Sequence, residues 1–326
     1  MPRSKVTTAA AALLCTLAAG LAQAAPSAVV SLGDSMSDTG NVHRALQAQD
    51  GSNVPVSPPY FEGRFSNGPV AVEHLAQQLD VSLVDLAWGG AYTGRGNLLG
   101  SGPALAATGL LDQVDRYLAG PIDAQALHVI WAGGNDLIVR PGSAEAAAAN
   151  IAQAVSMLYG GGARQFLVPL SLDLATLPMF QGAGEAARLA LAQASSTFNQ
   201  ALGEQLGALA GSLTGIELQL FDTAAVVGRL QAGGLNGQAA CVTGDFWNVQ
   251  AVCAAPQQHL FWDGTHLSAI AHAELGGVMA SAVPEPASAW LLALGLAGAV
   301  FVRARQHLGR PVSLSLSPPS SSRPAA

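Results

Sequence analysis

Charge is what this sequence has least of. Only 11% of its 326 residues are Asp, Glu, Lys or Arg, and 14 basic side chains against 21 acidic ones leave a formal net charge of −7. The few Lys and Arg are scattered or gathered near the two ends, so no basic stripe exists to follow a phosphate backbone, and nucleic acid is excluded as a partner. Cysteine is scarcer still, with three in the chain. Neither CxxC nor HExxH occurs and the seven histidines are spread out, which removes the usual frameworks for zinc; no metal is expected. The Gly-rich run GGAYTGRGNLLGSG lacks the spacing of a dinucleotide-binding loop and the Lys-Ser/Thr of a phosphate-binding one, so no organic cofactor is expected either. Half of the residues are hydrophobic, enough for one sizeable core.

The first segment, MPRSKVTTAAAALLCTLAAGLAQAA, places Arg3 and Lys5 before a small apolar run that closes on Ala22-Gln23-Ala24. That is the build of an export signal, expected over residues 1–25. Cys15 leaves with it. The remaining Cys241 and Cys253 then enter an oxidising compartment as a pair, which predicts a disulfide. At the other end, residues 287–302 carry no charge and Arg303, Arg305 and Arg310 follow. Sixteen helical positions would span roughly 24 Å, a little short of a hydrocarbon core of about 30 Å. This marginal membrane segment, with its arginines on the cytoplasmic side, is set off from the domain by Pro284 and Pro286.

Between the ends, short β-rich runs alternate with longer Ala- and Leu-rich stretches. Strands are expected at Ala28–Leu32, Val81–Leu86, Leu127–Trp131, Gln165–Leu170 and Ile216–Phe221, as nearly continuous apolar runs suited to burial on both faces. Helices are expected at Pro69–Leu79, Leu111–Leu118, Ala144–Leu158, Gly184–Leu209 and Leu267–Met279. The alternation argues an α/β, doubly wound parallel sheet. Gln231 to Gln258, which holds Cys241, reads as a long irregular connection.

In such folds ligands bind beyond the carboxyl ends of the strands. The segments found there are GDSMSD, AWGGAYTG and AGGNDL, and FWDGTHLS precedes the last helix. A serine hydroxyl needs a base to take its proton, and the base needs a partner that fixes its tautomer. Ser35, His266 and Asp263 supply these types, the last two from one tight Asp-Gly-Thr-His loop. A tetrahedral intermediate also needs hydrogen-bond donors, and Gly89, Asn135 and the Ser35 N–H are placed to supply them. His43, His74, His128, His259 and His272 read as packing or surface residues, with His259 a reserve base. Asp34 and Asp38 read as turn and loop acceptors.

Together, GDSMSDTGN, LAWGGAYTG, AGGNDL and FWDGTHLS resemble the ordered blocks of the GDSL, or SGNH, hydrolases, and GRFSNGPVAVEHLA is similar to their secreted lipase and esterase branch. The resemblance covers most of residues 26–282 and implies a three-layer, flavodoxin-like α/β fold. It implies Ser35 as nucleophile, Gly89 and Asn135 in the oxyanion hole, His266 as base and Asp263 as its orienting partner, acting on an ester substrate without a cofactor. Met36 stands in place of the usual leucine and keeps the site apolar; Trp88, before the second block's glycine, is expected to line or narrow the acyl pocket. The tail, VPEP followed by the apolar run and arginines, resembles a PEP-CTERM sorting signal. That likeness implies export, transient membrane retention over residues 283–326 and processing by an exosortase. An exopolysaccharide acetylesterase and a catalytically silent surface protein stay open beside the lipase or esterase.

Overall fold

Glycine, proline or aspartate lies at or within two residues of the end of each strand of the main sheet, and these strands are short. The computed structural model describes residues 25–100 and 102–283, with Gly295 alone beyond them. The expected export signal and, but for Gly295, the apolar segment 287–302 lie outside the described residues. In chain order the elements are β1 (Ala28–Gly33), α1 (Asn41–Asp50), α2 (Ala71–Gln78), β2 (Ser82–Asp85), α3 (Leu110–Leu118), β3 (Leu127–Trp131), α4 (Gly134–Val139), α5 (Ala144–Gly161) and β4 (Gln165–Pro169). They continue with α6 (Glu185–Ser212), β5 (Glu217–Phe221), α7 (Thr223–Ala232), β6 (Asn236–Ala240), β7 (Val242–Gly244), β8 (Val249–Val252), β9 (His259–Phe261) and α8 (Ala269–Ala282). Pro26–Val283 form one compact unit.

The five-stranded sheet has the order β2-β1-β3-β4-β5, with every pairing parallel. This is the flavodoxin-like arrangement. The crossover from β1 to β2 runs one way along the sheet and the later ones run the other way, so right-handed connections put α2 on one face and α3, α5 and α6 on the opposite face. α8 packs on α2, and α5 lies against both α3 and α6. The core is filled from both sides, by Leu75, Leu275 and Met279 and by Val114, Ile151, Phe198 and Leu202, all buried.

β3 and β4 are buried along their whole length and β1 nearly so, whereas β2 and β5 keep exposed positions. The expectation of burial on both faces therefore fails for those two, because they form the edges of the sheet and each has a single neighbour. The segment expected to be irregular is partly ordered as well. It carries the end of α7, a strand β6 that pairs in parallel with β9 just beyond it, and an antiparallel β7–β8 hairpin. A Cys241–Cys253 disulfide closes the base of that hairpin, beside a hydrogen bond from the Cys253 N–H to the Cys241 carbonyl at 2.8 Å.

The strand order reverses between β1 and β3. Loops leaving those strands diverge to opposite faces and open a crevice at the carboxyl end of the sheet. Ser35 follows β1 and Asn135 follows β3, so both reach it. The GRFSNG segment brings the last loop to the same place: Ser66 Oγ donates to the Leu267 carbonyl at 2.9 Å, and Asn67 Oδ1 accepts the first N–H of α8, from Ala269, at 2.8 Å. Among the described residues no helix is long and apolar enough to cross a membrane.

Candidate active site

β1 ends at a backbone that only glycine can take. Gly33 has φ +148°, and a Cβ there would sit 1.9 Å from the Trp131 carbonyl oxygen of β3. Buried Gln113 of α3 clamps this residue from the side: its Oε1 accepts the Gly33 N–H at 2.8 Å and its Nε2 donates to the Gly33 carbonyl at 2.8 Å. The chain then turns tightly, with the Ser37 and Asp38 N–H groups both donating to the Asp34 carbonyl at 3.1 Å. Ser35 rides on that turn with its Oγ 2.9 Å from His266 Nε2.

The loop bearing the imidazole is built around one carboxylate. Asp263 Oδ1 accepts the N–H groups of Thr265 at 2.9 Å and His266 at 2.8 Å, and His266 Nδ1 lies 2.9 and 2.8 Å from the two carboxylate oxygens. Burial pushes the Asp263 carboxyl up, but the charge of His266 and the hydrogen bonds from His266, Tyr60 and Thr265 outweigh it and hold the group below the usual carboxylate range. An ionised carboxylate can only accept, so Nδ1 carries the ring proton and Nε2 is left to accept from the serine hydroxyl. Tyr60 donates to Asp263 Oδ2 at 2.6 Å and packs edge-on against Trp262. Rings of Phe65 and Phe246 lie 5.0 and 5.9 Å from the imidazole and shield it from water. The Ser35, His266 and Asp263 side chains thus form one hydrogen-bonded chain, each less than a tenth exposed.

The donors for an oxyanion are arranged differently from expectation. The Gly89 N–H donates to the buried Asp38 carboxylate at 2.7 Å and does not serve the pocket. Its neighbour Gly90 lines the pocket instead, and among the described residues its N–H has no hydrogen-bond partner. The expected Gly89 N–H is therefore engaged by Asp38, and the Gly90 N–H is the one left free beside the pocket. Asn135 also lines the pocket, with one amide hydrogen held by the Ala91 carbonyl at 3.0 Å and, among the described residues, no partner for the other. The crevice beside Ser35 encloses about 300 Å³ and is walled by Leu99, Ile138, Leu172, Leu174, Leu177 and Met179. Among the described residues, no Lys or Arg lines it.

Residues 29–277 match the family model of the GDSL-like lipase/acylhydrolases. The chain belongs to that family. Residues 282–306 match the PEP-CTERM protein-sorting motif. The chain is 28% identical over 266 residues to the thermolabile hemolysin of Vibrio parahaemolyticus, covering 75% of this chain and 60% of that protein. It is 31% identical over 170 residues to the phosphatidylcholine-sterol acyltransferase of Aeromonas hydrophila, half of each chain. It therefore spans 50–60% of the length of these curated relatives. Among solved structures it is similar to a member of the lipolytic G-D-S-L family from Veillonella parvula, at 12% identity and a TM-score of 0.43, covering 77% of this chain and 94% of that one.

Within this GDSL domain, Met36 does line the pocket. Trp88 does not, a second correction: its ring is drawn into a satellite core with Val42, Leu46 and Phe65, under the Arg116 guanidinium. Asp38 is a loop acceptor, taking the N–H groups of Gly40, Asn41 and Val42 as well as Gly89. Asp34 accepts the Met36 N–H at 3.1 Å, and it also faces the pocket, where burial pushes its carboxyl up to about 7. His128 and His272 are buried packing residues, pushed down by burial to about 4 and about 3. His259 lies beside the Ala255 carbonyl and Cys253, away from the pocket lining. Sequence patterns gave no sign of Tyr60, which acts across 203 positions, or of Phe246, on a hairpin whose strands carry a weak apolar pattern.

Proposed function

We propose that the GDSL domain is an exported serine esterase that hydrolyses carboxylic esters of apolar acyl groups through an acyl-enzyme on Ser35. The 2.9 Å contact of Ser35 Oγ with an imidazole backed by a buried, ionised Asp263 carries this reading. Ser35 Oγ attacks the ester carbonyl carbon while His266 Nε2 takes its proton. The Ser35 and Gly90 N–H groups and the free Asn135 amide hydrogen hold the negative oxygen of the tetrahedral intermediate, where loss of a single donor costs about 10²–10³ in rate. Collapse expels the alcohol, which receives the proton from His266. Water, deprotonated by the same imidazole, then attacks the acyl-enzyme and returns Ser35 and the carboxylic acid. Leu172, Leu174 and Leu177 supply an apolar wall suited to the acyl chain.

Residues 1–25 would direct export, 26–282 form the catalytic domain, and 283–326 act as a sorting segment read by an exosortase. The run 287–302 would hold the protein in the inner membrane for a time, with the arginines inside and the domain outside; the PEP-CTERM match supports this part. A fluorophosphonate should label the wild type at Ser35 and fail on Ser35→Ala. Nitrophenyl esters of increasing acyl length, run beside acetylated sugars, then set the substrate class. Preference for acetylated sugars would favour the acetylesterase, and a folded protein that turns over none of the panel would favour a silent surface protein.

A further inference from the structure

We infer that Asn97, in the Gly-rich loop after β2, is a positioning residue that keeps the oxyanion hole open by fixing the orientation of one peptide plane. The inference rests on the acyl-transfer reading above. Trp88 to Ala91 form a turn, closed by a hydrogen bond from the Ala91 N–H to the Trp88 carbonyl at 3.0 Å, with Gly90 in third place at φ +77°. Type I and type II turns share that closing bond and differ by a half-rotation of their central peptide; positive φ at the third residue is the type II choice. The central peptide here joins Gly89 to Gly90, so the choice decides which way the Gly90 N–H points.

That peptide is trans, so its carbonyl and its N–H point in opposite directions. Asn97 Nδ2 donates to the Gly89 carbonyl at 2.8 Å. Holding the oxygen on the Asn97 side leaves the Gly90 N–H aimed the other way, at the pocket that Gly90 lines. Asn97 is itself fixed at every polar atom. Its Oδ1 accepts the Leu99 N–H at 2.8 Å, which identifies the other end of the amide as the nitrogen, and its second hydrogen goes to Thr108 Oγ1 at 3.0 Å. The Thr108 hydroxyl in turn donates to the Leu105 carbonyl at 2.7 Å. The preceding peptide is secured separately, its Gly89 N–H on Asp38. Two side chains from different loops therefore clamp the two peptides that meet at the Gly89 Cα.

Asn97 touches no reacting atom, so the test must separate a flipped peptide from a loosened loop. An ester and its thionoester differ in whether oxygen or the weakly accepting sulfur enters the hole. Asn97→Ala should lower kcat/KM for the nitrophenyl ester by about tenfold to a hundredfold, less than outright removal of a donor, with KM little changed. The thionoester rate should fall by no more than about threefold, so that the ester-to-thionoester ratio drops at least about threefold. Equal losses on both substrates, or no loss, would overturn the assignment. If Asn97→Ala does not fold, Thr108→Val, which removes the hydroxyl that seats the amide, carries the same ratio test at a smaller amplitude. A wild type that neither turns over the ester nor labels at Ser35 fails the acyl-transfer reading itself and takes this inference with it.

Discussion

Replacing Gln113 should unsettle the active site from a position that contacts no substrate. The side chain is fully buried and its amide makes three hydrogen bonds: with the Gly33 N–H and carbonyl at 2.8 Å each and with the Thr108 carbonyl at 2.9 Å. Gly33 keeps the Trp88 N–H on its carbonyl, so Gln113→Ala strips the Gly33 N–H and the Thr108 carbonyl of this partner. At about 1–3 kcal/mol for each of the two buried groups left unpaired, the loss is about 2–6 kcal/mol. For a domain of this size that lowers Tm by about 4–24 °C. Gln113→Glu should be worse still, although it is nearly isosteric, because its second oxygen would face two carbonyls where the amide nitrogen now donates. Urea unfolding of both variants, with m unchanged, measures the difference. A glutamate variant as stable as the alanine one, or an alanine variant within 1 kcal/mol of wild type, would refute the account of the clamp. The fluorophosphonate labelling rate of Ser35 should fall with stability in both, since Gly33 is the last fixed point before the nucleophile's turn.

Removing both Cys241 and Cys253 as alanines frees a loop closed over 12 positions, which costs about 3 kcal/mol by chain entropy and lowers Tm by about 6–12 °C; an unchanged Tm would mean that the hairpin needs no staple. Asp34 carries a folded pKa of about 7 against 3.8, so the unfolded chain ionises it more easily and its contribution to stability is lost as pH rises through that window. Asp34→Asn should therefore gain on the wild type by about 2–3 kcal/mol between pH 5 and pH 8, and a stability difference independent of pH would count against that burial. Tyr60→Phe should cost about 1.5–3 kcal/mol, the range for a hydrogen bond to a charged group, by urea unfolding at pH 7. Because Asp263 is held below the ordinary carboxylate range, its ionised form persists above pH 3.8, and the Tyr60→Phe deficit should be the same at pH 5 and pH 8.

The central strands were legible because each is a short apolar run ended by glycine or small polar residues, and β3 spans the very residues that its run predicts, Leu127–Trp131. α1 escaped notice because only Val42 and Leu46 are buried in its ten residues, too thin a stripe to show a period. Ser35, His266, Asp263 and Asn135 could be picked out from residue type and strand-end position. Which of two adjacent glycines faces the pocket could not, because Asp38 decides it from 51 positions away. Trp88 failed for a related reason: an aromatic beside the site looks like pocket lining until the satellite core around Phe65 claims it. Local chemistry thus points to the candidate reacting groups, while the groups that aim them act over long sequence distances and leave no periodic trace.

Three aspartates of the strand-end loops share one device. Asp38, from the loop after β1, accepts the N–H of Gly89 in the loop after β2. Asp85, at the end of β2, accepts in return from Thr39 and Asn41 after β1. Asp136, after β3, accepts the N–H and hydroxyl of Thr93 at 2.9 and 2.8 Å. Each of these carboxylates takes at least one hydrogen bond from backbone or a short side chain of another strand-end loop, and among the described residues no lysine or arginine side chain is hydrogen-bonded to any of the three. Short donors leave little rotamer freedom to lose and fix geometry more tightly than a long cationic side chain would. The cost is desolvation, visible where burial pushes the Asp85 carboxyl up to about 7 with Asp38 close by. A chain with few charges has thus spent several of them where they stitch the three strand-end loops together, and because burial raises all three carboxyls, the stability they contribute at low pH should be lost as pH rises, which amide hydrogen exchange of the loops followed against pH would show.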